Sequence, residues 1–226
     1  MKKENSNLFS KGAFEAVDEN FLKDTTDALN EIVKIQKKYN KKDNDTLLNE
    51  YHDGMAGKFL GFNLCNTKKH GFDCKLSKKE DTFLEVKTCS YSSSSLSATF
   101  NDTTEEKAES FCKDNVYLAL AIWNNEKDLL CIAYGQNPKI GEYLKAKIDF
   151  FKSGKSVRST QTISLSSLVF TYNFKILAIH DKKETLDLLK KKNSRFKKLE
   201  SSAILTIEEF KDNGGIKSFN KKSNKT

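Results

Sequence analysis

The sequence contains almost no proline, almost no arginine and no long apolar run. Pro138 is the only proline, and Arg158 and Arg195 are the only arginines among 39 basic residues in the 226-residue chain. No stretch approaches the roughly 18 consecutive apolar residues of a membrane-spanning helix, which excludes that class of membrane protein. The first ten residues are polar and lack the apolar core of a secretory signal. We therefore expect a soluble, cytoplasmic protein.

Cysteine is too scattered to build a metal site or a disulfide framework. The five cysteines are odd in number, no two stand in a C-x-x-C pair, and the three histidines do not cluster with them. Free thiols in a reducing compartment fit this pattern best. A glycine-rich phosphate loop of the G-x-x-x-x-G-K-[ST] type is also missing, so we expect no nucleotide cofactor.

What the sequence has in excess is lysine. The formal net charge is +8, which favours a polyanionic partner such as nucleic acid. Lysine and asparagine also accumulate when coding sequence is rich in A and T, so the charge alone leaves that partner open. Hydrophobic residues make up 37% of the chain and aromatics 11%, enough to fill a core and to exclude wholesale disorder.

The hydrophobic pattern alternates between helical and strand-like segments and shows no internal repeat. We expect one domain over residues 1–226, with N-terminal helices in 12–61, a catalytic core in 62–135, a C-terminal α/β part in 136–212 and a mobile tail in 213–226. The fold class is α/β, bordering on α+β, with a central mixed β-sheet flanked by helices.

Periodicity predicts the individual elements. Two N-terminal helices are expected to meet near Asp24, followed by a third helix from about Asp45 to Gly61. Three glycines of the third helix share one face, which indicates a close approach there. Strands are predicted at 62–66, 71–76, 82–88, 116–123, 129–134 and 168–179, helices at 104–111, 140–151 and 183–191, and irregular polar segments at 89–102 and 152–162.

One strand-like segment carries charges. Side chains alternate along Phe83 to Thr88, so Glu85 and Lys87 project side by side from an otherwise apolar strand. Burying such charges is unfavourable unless they pair with each other or hold a cation. Asp73 lies twelve residues before Glu85, at hairpin distance. Two carboxylates suit Mg²⁺, a hard cation that keeps several waters and accepts phosphate oxygens.

The tripeptide Glu-x-Lys alone is weak evidence in so lysine-rich a chain. It also occurs at Glu105-Glu106-Lys107 and at Glu209-Phe210-Lys211, where amphipathic helical contexts make a solvated face the simpler interpretation. Only the copy at Glu85 combines a strand with an acidic partner at hairpin distance. The alternative for this copy is an exposed strand with a surface ion pair.

From Leu47 to Trp123 the chain resembles the PD-(D/E)xK nucleases, and within them the type II restriction endonucleases. The segment holds a helix with an acidic residue, a β-meander carrying Asp73 and then Glu85-Val86-Lys87, a crossing helix and an apolar strand. This order matches the α-β-β-β-α-β core of the family, so the resemblance implies a restriction-endonuclease-like core. Phe72 stands where the family motif usually has proline.

The resemblance implies a catalytic and a metal-binding set. Asp73 and Glu85 match the two acids of the motif and Lys87 its lysine. Mg²⁺ would be held by Asp73 and Glu85 with the Val86 carbonyl, and water would be activated near Lys87. The implied reaction is hydrolysis of phosphodiester bonds in double-stranded DNA, giving 5′-phosphate and 3′-hydroxyl ends.

A further acid on the preceding helix is also implied. Glu50 lies where many members carry an extra acid, which would help hold a second metal or orient the lysine, and Asp53 competes with it for that role. An ordinary exposed glutamate is the alternative for Glu50.

Two polar segments are candidates for contacts with DNA. The serine-rich segment after the strand follows the catalytic residues and could enter a groove, and the later basic segment suits phosphates and base edges. An ordinary surface loop is the alternative for the second. The candidate residues are Ser92, Ser93 and Asn101 in the first segment, and Lys155, Arg158 and Gln161 in the second.

The leading hypothesis is therefore a site-specific endonuclease of a restriction-modification system. Cutting both strands at a symmetric site calls for two active sites, so we expect a homodimer. One alternative is a structure-specific DNA repair nuclease or junction resolvase of the same fold. Another is a non-catalytic DNA-binding protein, which would not require two acids and a lysine to converge.

Overall fold

The computed structural model describes residues 19–41, 43–65, 71–77, 80–101, 103–154 and 160–218. The chain separates into two compact units, Met1–Leu47 and Leu48–Thr226. None of the described helices has the length and hydropathy needed to cross a membrane.

The first unit contains one long helix, α1 (Glu19–Tyr39). The predicted break near Asp24 is wrong. The Thr26 hydroxyl, which a helix start would use as a cap, instead donates to the Leu22 carbonyl at 2.8 Å, one turn earlier in the same helix. The helix ends at Asn40, whose φ of 54° lies in the left-handed region that asparagine tolerates.

The second unit is built on a mixed sheet of seven strands. In spatial order they are β1 (Asn63–Leu64), β2 (Cys74–Lys75), β3 (Phe83–Ser90), β5 (Val116–Trp123), β6 (Leu129–Gly135), β8 (Lys175–Ala178) and β9 (Ile204–Leu205). The β3–β5 and β8–β9 pairs are parallel, and the other neighbours are antiparallel. Two further strands, β4 (Ser97–Phe100) and β7 (Gln161–Ser164), form a separate antiparallel pair.

Helices cover both faces of the sheet. They are α2 (Asn44–Leu60), α3 (Glu105–Ser110), α4 (Lys139–Lys152), α5 (Leu165–Phe170), α6 (Lys182–Lys192) and α7 (Ile207–Asp212). Every residue of β5 is buried, and its side chains alternate between the two faces. Leu118 and Leu120 pack with α3, α4 and α5, whereas Tyr117 and Ala119 pack with α2 and α7. Such a continuous apolar run is typical of a strand covered on both sides.

The expected mixed α/β architecture with a central mixed sheet is confirmed, but three local predictions are wrong. The segment expected to be a strand from 168 to 179 begins as α5, because the Ser164 side chain caps that helix by accepting from the Ser167 amide. Of the two segments expected to be irregular, the first contains β4 and the second ends in the first two residues of β7. In each four-residue strand, serine or threonine alternates with buried residues, which hides a short amphipathic strand in a polar stretch.

Helix α2 approaches β2 closely. A Cβ atom on Gly57 would lie 2.6 Å from the Cys74 Sγ, so only glycine fits there without a shift. The Cys74 thiol donates to the Asp53 carbonyl at 3.6 Å. The shared glycine face predicted a close approach, and at Gly57 it is confirmed. The contact brings the middle of α2 to the part of the sheet where β2 meets β3.

Candidate active site

The candidate site lies at the start of β2, beside the part of β3 that continues beyond its pairing with β2. Two residue pairs, Cys74 with Leu84 and Lys75 with Phe83, join the strands. One residue before β2, Oδ2 of Asp73 accepts a hydrogen bond from the Val86 amide at 2.7 Å. The carboxylate thus takes the place that a backbone carbonyl would have in a longer ladder. The sequence around this junction therefore fixes the Asp73 carboxylate beside the middle of β3.

Glu85 is a buried carboxylate held by two lysines. It is only 4% exposed. Lys87, two residues along β3, donates from Nζ to its Oε1 at 2.8 Å, and Lys107 of α3 donates to its Oε2. Two ammonium groups bound to one carboxylate offset the unfavourable desolvation of the charge. The alternative of an exposed surface ion pair does not fit this burial.

Lys107 is the residue of this site that sequence reasoning assigned to a solvated face. Its ammonium group also donates to the Gly71 carbonyl at 3.3 Å and lies 4.5 Å from the centre of the Phe72 ring. The N-cap Thr104 fixes where α3 starts. Lys107 then lies one turn before the buried Phe111, on the side that faces the sheet. That one-turn spacing was the available signal.

Four phenylalanines, which we call the aromatic wall, border the two lysines: Phe72, Phe83, Phe100 and Phe111. Adjacent ring centres are 5.3 to 6.3 Å apart. Lys87 Nζ lies 5.4 Å from the centre of the Phe100 ring, and Lys107 Nζ lies 4.5 Å from the centre of the Phe72 ring. Aromatic faces attract ammonium groups and exclude water, which restrains both lysine side chains.

Burial disfavours the charged form of two acids at this junction, Asp53 and Asp73. Burial, reinforced by the charge of Asp73 and opposed by Lys87, raises the pKa of Asp53 to about 8. Burial and the Glu85 charge raise the pKa of Asp73 to about 6, although the Val86 amide and both lysines oppose the shift. A raised carboxyl pKa means that the ionised form is disfavoured. The site would therefore gain from a bound cation.

Lys87 keeps its proton at neutral pH. Burial lowers the pKa of its ammonium group, but Glu85, Asp73 and Asp53 together outweigh burial, and the net effect raises the pKa. A lysine in this state carries a positive charge and donates hydrogen bonds, and it does not accept a proton.

Of the two acids that the sequence left open on α2, Asp53 is the one brought to the site. Its charge acts on Lys87, and it responds to the charges of Asp73 and Glu85. The charge of Glu50 also raises the pKa of Asp53, but less than the charges of Asp73 and Glu85 do. The structure thus places Asp53 next to the junction and Glu50 one turn of helix away.

The donor set fits a cation that shares its coordination with phosphate. Within the described ranges, no group of three or more His, Cys, Asp or Glu side chains is arranged to hold a metal ion. The junction offers two carboxylates, Asp73 and Glu85, and Mg²⁺ is commonly bound through one or two carboxylates plus waters and phosphate oxygens. Each oxygen of Glu85 accepts one lysine and keeps a second lone pair, so an incoming cation would share the carboxylate with the ammonium groups or displace one of them.

The candidate DNA contacts lie on different elements. Ser92 and Ser93 are in the turn after β3, where the Ser92 hydroxyl is 2.7 Å from that of Ser90 and the Ser93 carbonyl accepts from Lys192 at 3.0 Å. Asn101 is exposed at the end of β4.

The later basic segment is described only at its end. Lys155 and Arg158 lie outside the described residues. Gln161 opens β7 opposite Phe100 and is 9% exposed, so its side chain is buried there instead of facing solvent. The polar residues that this small sheet does expose are Thr99 and Thr162, which are direct register partners.

A small cleft of about 200 Å³ opens at the carboxyl end of β3. The His52 ring lies 4.1 Å from the Trp123 ring, and His52 Nε2 is 2.8 Å from the Glu126 carbonyl oxygen. Within the described part of the protein, the buried Trp123 Nε1 and Asn125 Nδ2 have no hydrogen-bond partner. The lining residues are His52, Thr88, Cys89, Ser90, Trp123, Asn125 and Glu126. The cleft adjoins the strand that carries Lys87 but does not include the carboxylates.

No protein-family model, curated protein or solved structure matches the chain.

Proposed function

We propose that this chain is a type II restriction endonuclease of the PD-(D/E)xK kind, which hydrolyses phosphodiester bonds in double-stranded DNA to 5′-phosphate and 3′-hydroxyl ends. The observation that carries the proposal is the convergence of Asp73, Glu85 and Lys87 where β2 leaves β3. The element order α2, β1, β2, β3, α3, β5 supports it. Apart from β4, which belongs to the separate two-stranded sheet, it follows the α-β-β-β-α-β order of a restriction-endonuclease-like core.

Asp73 and Glu85, with the Val86 carbonyl, are the groups that would hold Mg²⁺. The ion would supply charge stabilisation at the phosphate and a lower pKa for a bound water. The chain's contribution is a pair of carboxylates, of which Asp73 lies in surroundings that disfavour its ionisation and raise its pKa to about 6. This electrostatic state supports cation binding at the junction.

Lys87 acts as a fixed hydrogen-bond donor in this proposal. Its raised pKa keeps the ammonium charged, and its bond to Glu85 fixes the direction of the side chain. A charged donor fixed before the reaction stabilises negative charge that develops on the phosphate oxygens. Lys87 would also orient the attacking water, but it would not take the proton from it.

Lys107 is assigned as a positioning residue for Glu85. It reaches Glu85 from a different element, so it couples α3 to β3 through the carboxylate. Asp53 takes the place of the extra acid on the preceding helix, because the charge of Asp73 acts on it and its own charge acts on Lys87. We retain Glu50 as an outer acid that acts through Asp53.

The net charge of +8 supports a polyanionic partner. The DNA contacts proposed for Ser92, Ser93 and Asn101 remain proposals, as do those for Lys155, Arg158 and Gln161. The proposed enzyme is a cytoplasmic homodimer.

The test is a digest of large, unmodified duplex DNA by the purified protein, with Mg²⁺ or with EDTA, beside Lys87→Ala. Discrete Mg²⁺-dependent fragments that disappear with the variant are the expected result. A smear would favour the structure-directed or repair nuclease. Intact DNA together with a gel shift in Ca²⁺ at every sequence tried would favour the non-catalytic DNA-binding protein.

A further inference from the structure

Helix α1 has an apolar side of which the larger part is exposed. None of its described residues is buried. At 100° per residue all its large apolar side chains fall on one side and all its charged side chains on the other. The most exposed are Phe21 (47%), Leu22 (62%), Leu29 (46%), Val33 (41%), Ile35 (45%) and Tyr39 (59%). An isolated helix of this kind is marginal in water, so such a side calls for a partner.

The spacing along this side is that of a helix that packs on another helix. Phe21, Thr25, Ala28, Ile32, Ile35 and Tyr39 recur at alternating steps of four and three residues. A repeat averaging 3.5 residues forms the seam of a coiled coil, whereas a helix that lies on a sheet or core needs no such regularity. Thr25 and Ala28 are small and the other four residues are large, and small residues that face large ones suit interdigitating packing.

The charges of α1 are divided along its length. The first half has three acids, Glu19, Asp24 and Asp27, against Lys23, and so has a net negative charge. The second half has three lysines, at 34, 37 and 38, against one acid, and so has a net positive charge. A second copy of the same helix, running in the opposite direction, would match negative to positive at both ends.

We propose that α1 is a dimerisation helix that pairs with α1 of a second copy of this chain in antiparallel orientation. The two-fold axis crosses the pair at the level of Asn30, whose side chain lies on the outer, polar side of the helix. In this register Phe21 faces the second copy's Tyr39, and Ala28 faces its Ile32. An isologous contact of this type closes on itself and gives a dimer, not a filament.

The flanking charges distinguish the antiparallel pair from a parallel one. In the antiparallel register, Asp24 of each copy lies beside Lys38 of the other, so two ion pairs form. In a parallel pair, Asp24 would lie beside Leu29 of the second copy, and no flanking charge would find an opposite one. Glu31 approaches its own counterpart at the two-fold axis, where Lys34 of the same helix, 2.5 Å from its carboxylate, offsets the repulsion.

The proposed dimer does not rest on the proposed nuclease activity, because α1 carries none of the candidate active-site residues. If both hold, the dimer supplies the two active sites that cutting both strands requires. Hydrodynamic measurements without DNA or metal test it separately from catalysis. A monomer that cleaves DNA would overturn the dimer alone, and an inactive dimer would overturn the nuclease alone.

The experiment is sedimentation equilibrium of the full chain at micromolar concentrations. We expect twice the 25.7 kDa mass of the chain. Ile32→Glu, which puts a charge in the seam, should weaken dimerisation by at least about tenfold. Asn30→Glu, which adds the same charge on the polar side of the helix, should leave it within about twofold. A monomeric wild-type protein at about 100 µM would overturn the proposal, as would equal effects of the two variants.

A charge exchange tests the orientation without disturbing the seam. Lys38→Glu should weaken the dimer severalfold, because two acids then meet at each end. Adding Asp24→Lys should restore it, because the exchanged charges again lie opposite each other only in the antiparallel register. No restoration in the double variant would overturn the antiparallel pairing. Circular dichroism of every variant confirms that the sheet-containing unit is folded in these comparisons.

Discussion

Two copies of the same tripeptide pattern, Glu85-Val86-Lys87 and Glu105-Glu106-Lys107, have opposite surroundings. On β3 the acid and the lysine point the same way. They form an ion pair in which the Glu85 side chain is 6% exposed and the Lys87 side chain 24%. On α3 they diverge: Glu105, 64% exposed, pairs with Lys152 of α4, whereas Lys107 turns inward to Glu85. Two residues along a strand bring side chains together, and two along a helix separate them.

A short charged motif thus acquires its chemistry from the element that carries it. The helical copy is not without function, since its lysine completes the environment of the strand copy. Its glutamate, by contrast, makes a solvated pair of the kind that contributes little. Glu105 and Lys107 of one tripeptide thus have different roles, and single substitutions can test each role separately.

The largest contrast is expected from the same substitution in the two glutamates. Glu85→Gln should lower the single-turnover rate of DNA hydrolysis by about 10³-fold or more, because it removes a charge at the proposed cation site. Glu105→Gln should change the rate by less than about twofold, because its partner is exposed. Rapid-quench cleavage of a labelled duplex measures both. Similar losses in the two variants would show that burial does not distinguish the copies.

A smaller contrast is expected in stability between the two partner lysines. Lys107→Met keeps the aliphatic stem but leaves Glu85 with one ammonium partner instead of two, which should cost about 2 kcal/mol of unfolding free energy. Lys152→Met breaks only the exposed pair with Glu105 and should cost less than about 0.5 kcal/mol. Urea unfolding in EDTA gives both values. If the cost of Lys107→Met is as small as that of Lys152→Met, the ammonium of Lys107 does not stabilise the buried carboxylate.

The smallest effect is expected in the pH dependence of stability, and it concerns Asp53, the acid of α2 next to Glu85-Val86-Lys87. The pKa of Asp53 is raised to about 8 from an ordinary 3.8. The folded state therefore holds this proton where the unfolded state has lost it, so its contribution to stability is full below pH 4 and is lost as pH rises through 8. Asp53→Asn cannot ionise and should gain about 1 kcal/mol on wild type between pH 6 and pH 7, where the folded state keeps the proton and the unfolded state has lost it.

Urea unfolding of wild type and Asp53→Asn at the two pH values measures this difference. Asp81→Asn serves as the control, because the exposed Asp81 carboxylate pairs with Lys75 and has a lowered pKa, so this variant should show no such gain between the two pH values. A pH-independent difference for Asp53→Asn would mean that Asp53 is ionised in the folded protein throughout this range.

The sheet was predictable where the sequence pattern is locally complete. β5 and β6 are continuous apolar runs bounded by polar turns, and both were predicted within a residue of their ends. The start of α3 followed from its threonine cap. α5 was not predictable in this way, because its six residues bury apolar side chains on most sides and resemble a strand, and only the serine cap distinguishes it.

The candidate site was predictable within one hairpin and not beyond it. Alternation along β3 and the hairpin distance placed Asp73, Glu85 and Lys87 together, because both signals are local. Lys107 and Asp53 reach the junction from helices whose packing depends on the whole sheet. Their spacing relative to Glu85 in the sequence therefore carries no information about their contacts.

The bond between Asp73 and the Val86 amide also has a consequence for self-association. Among the described residues, no strand pairs with β3 on the β2 side beyond Leu84, so part of a strand buried in the middle of the sheet has an open edge. Open edges recruit strands from other molecules, and natural proteins block them with charges and irregular backbone. Asp73 blocks the first open amide of this edge. Substitutions of Asp73 should therefore reduce solubility during concentration and storage, whatever they do to catalysis.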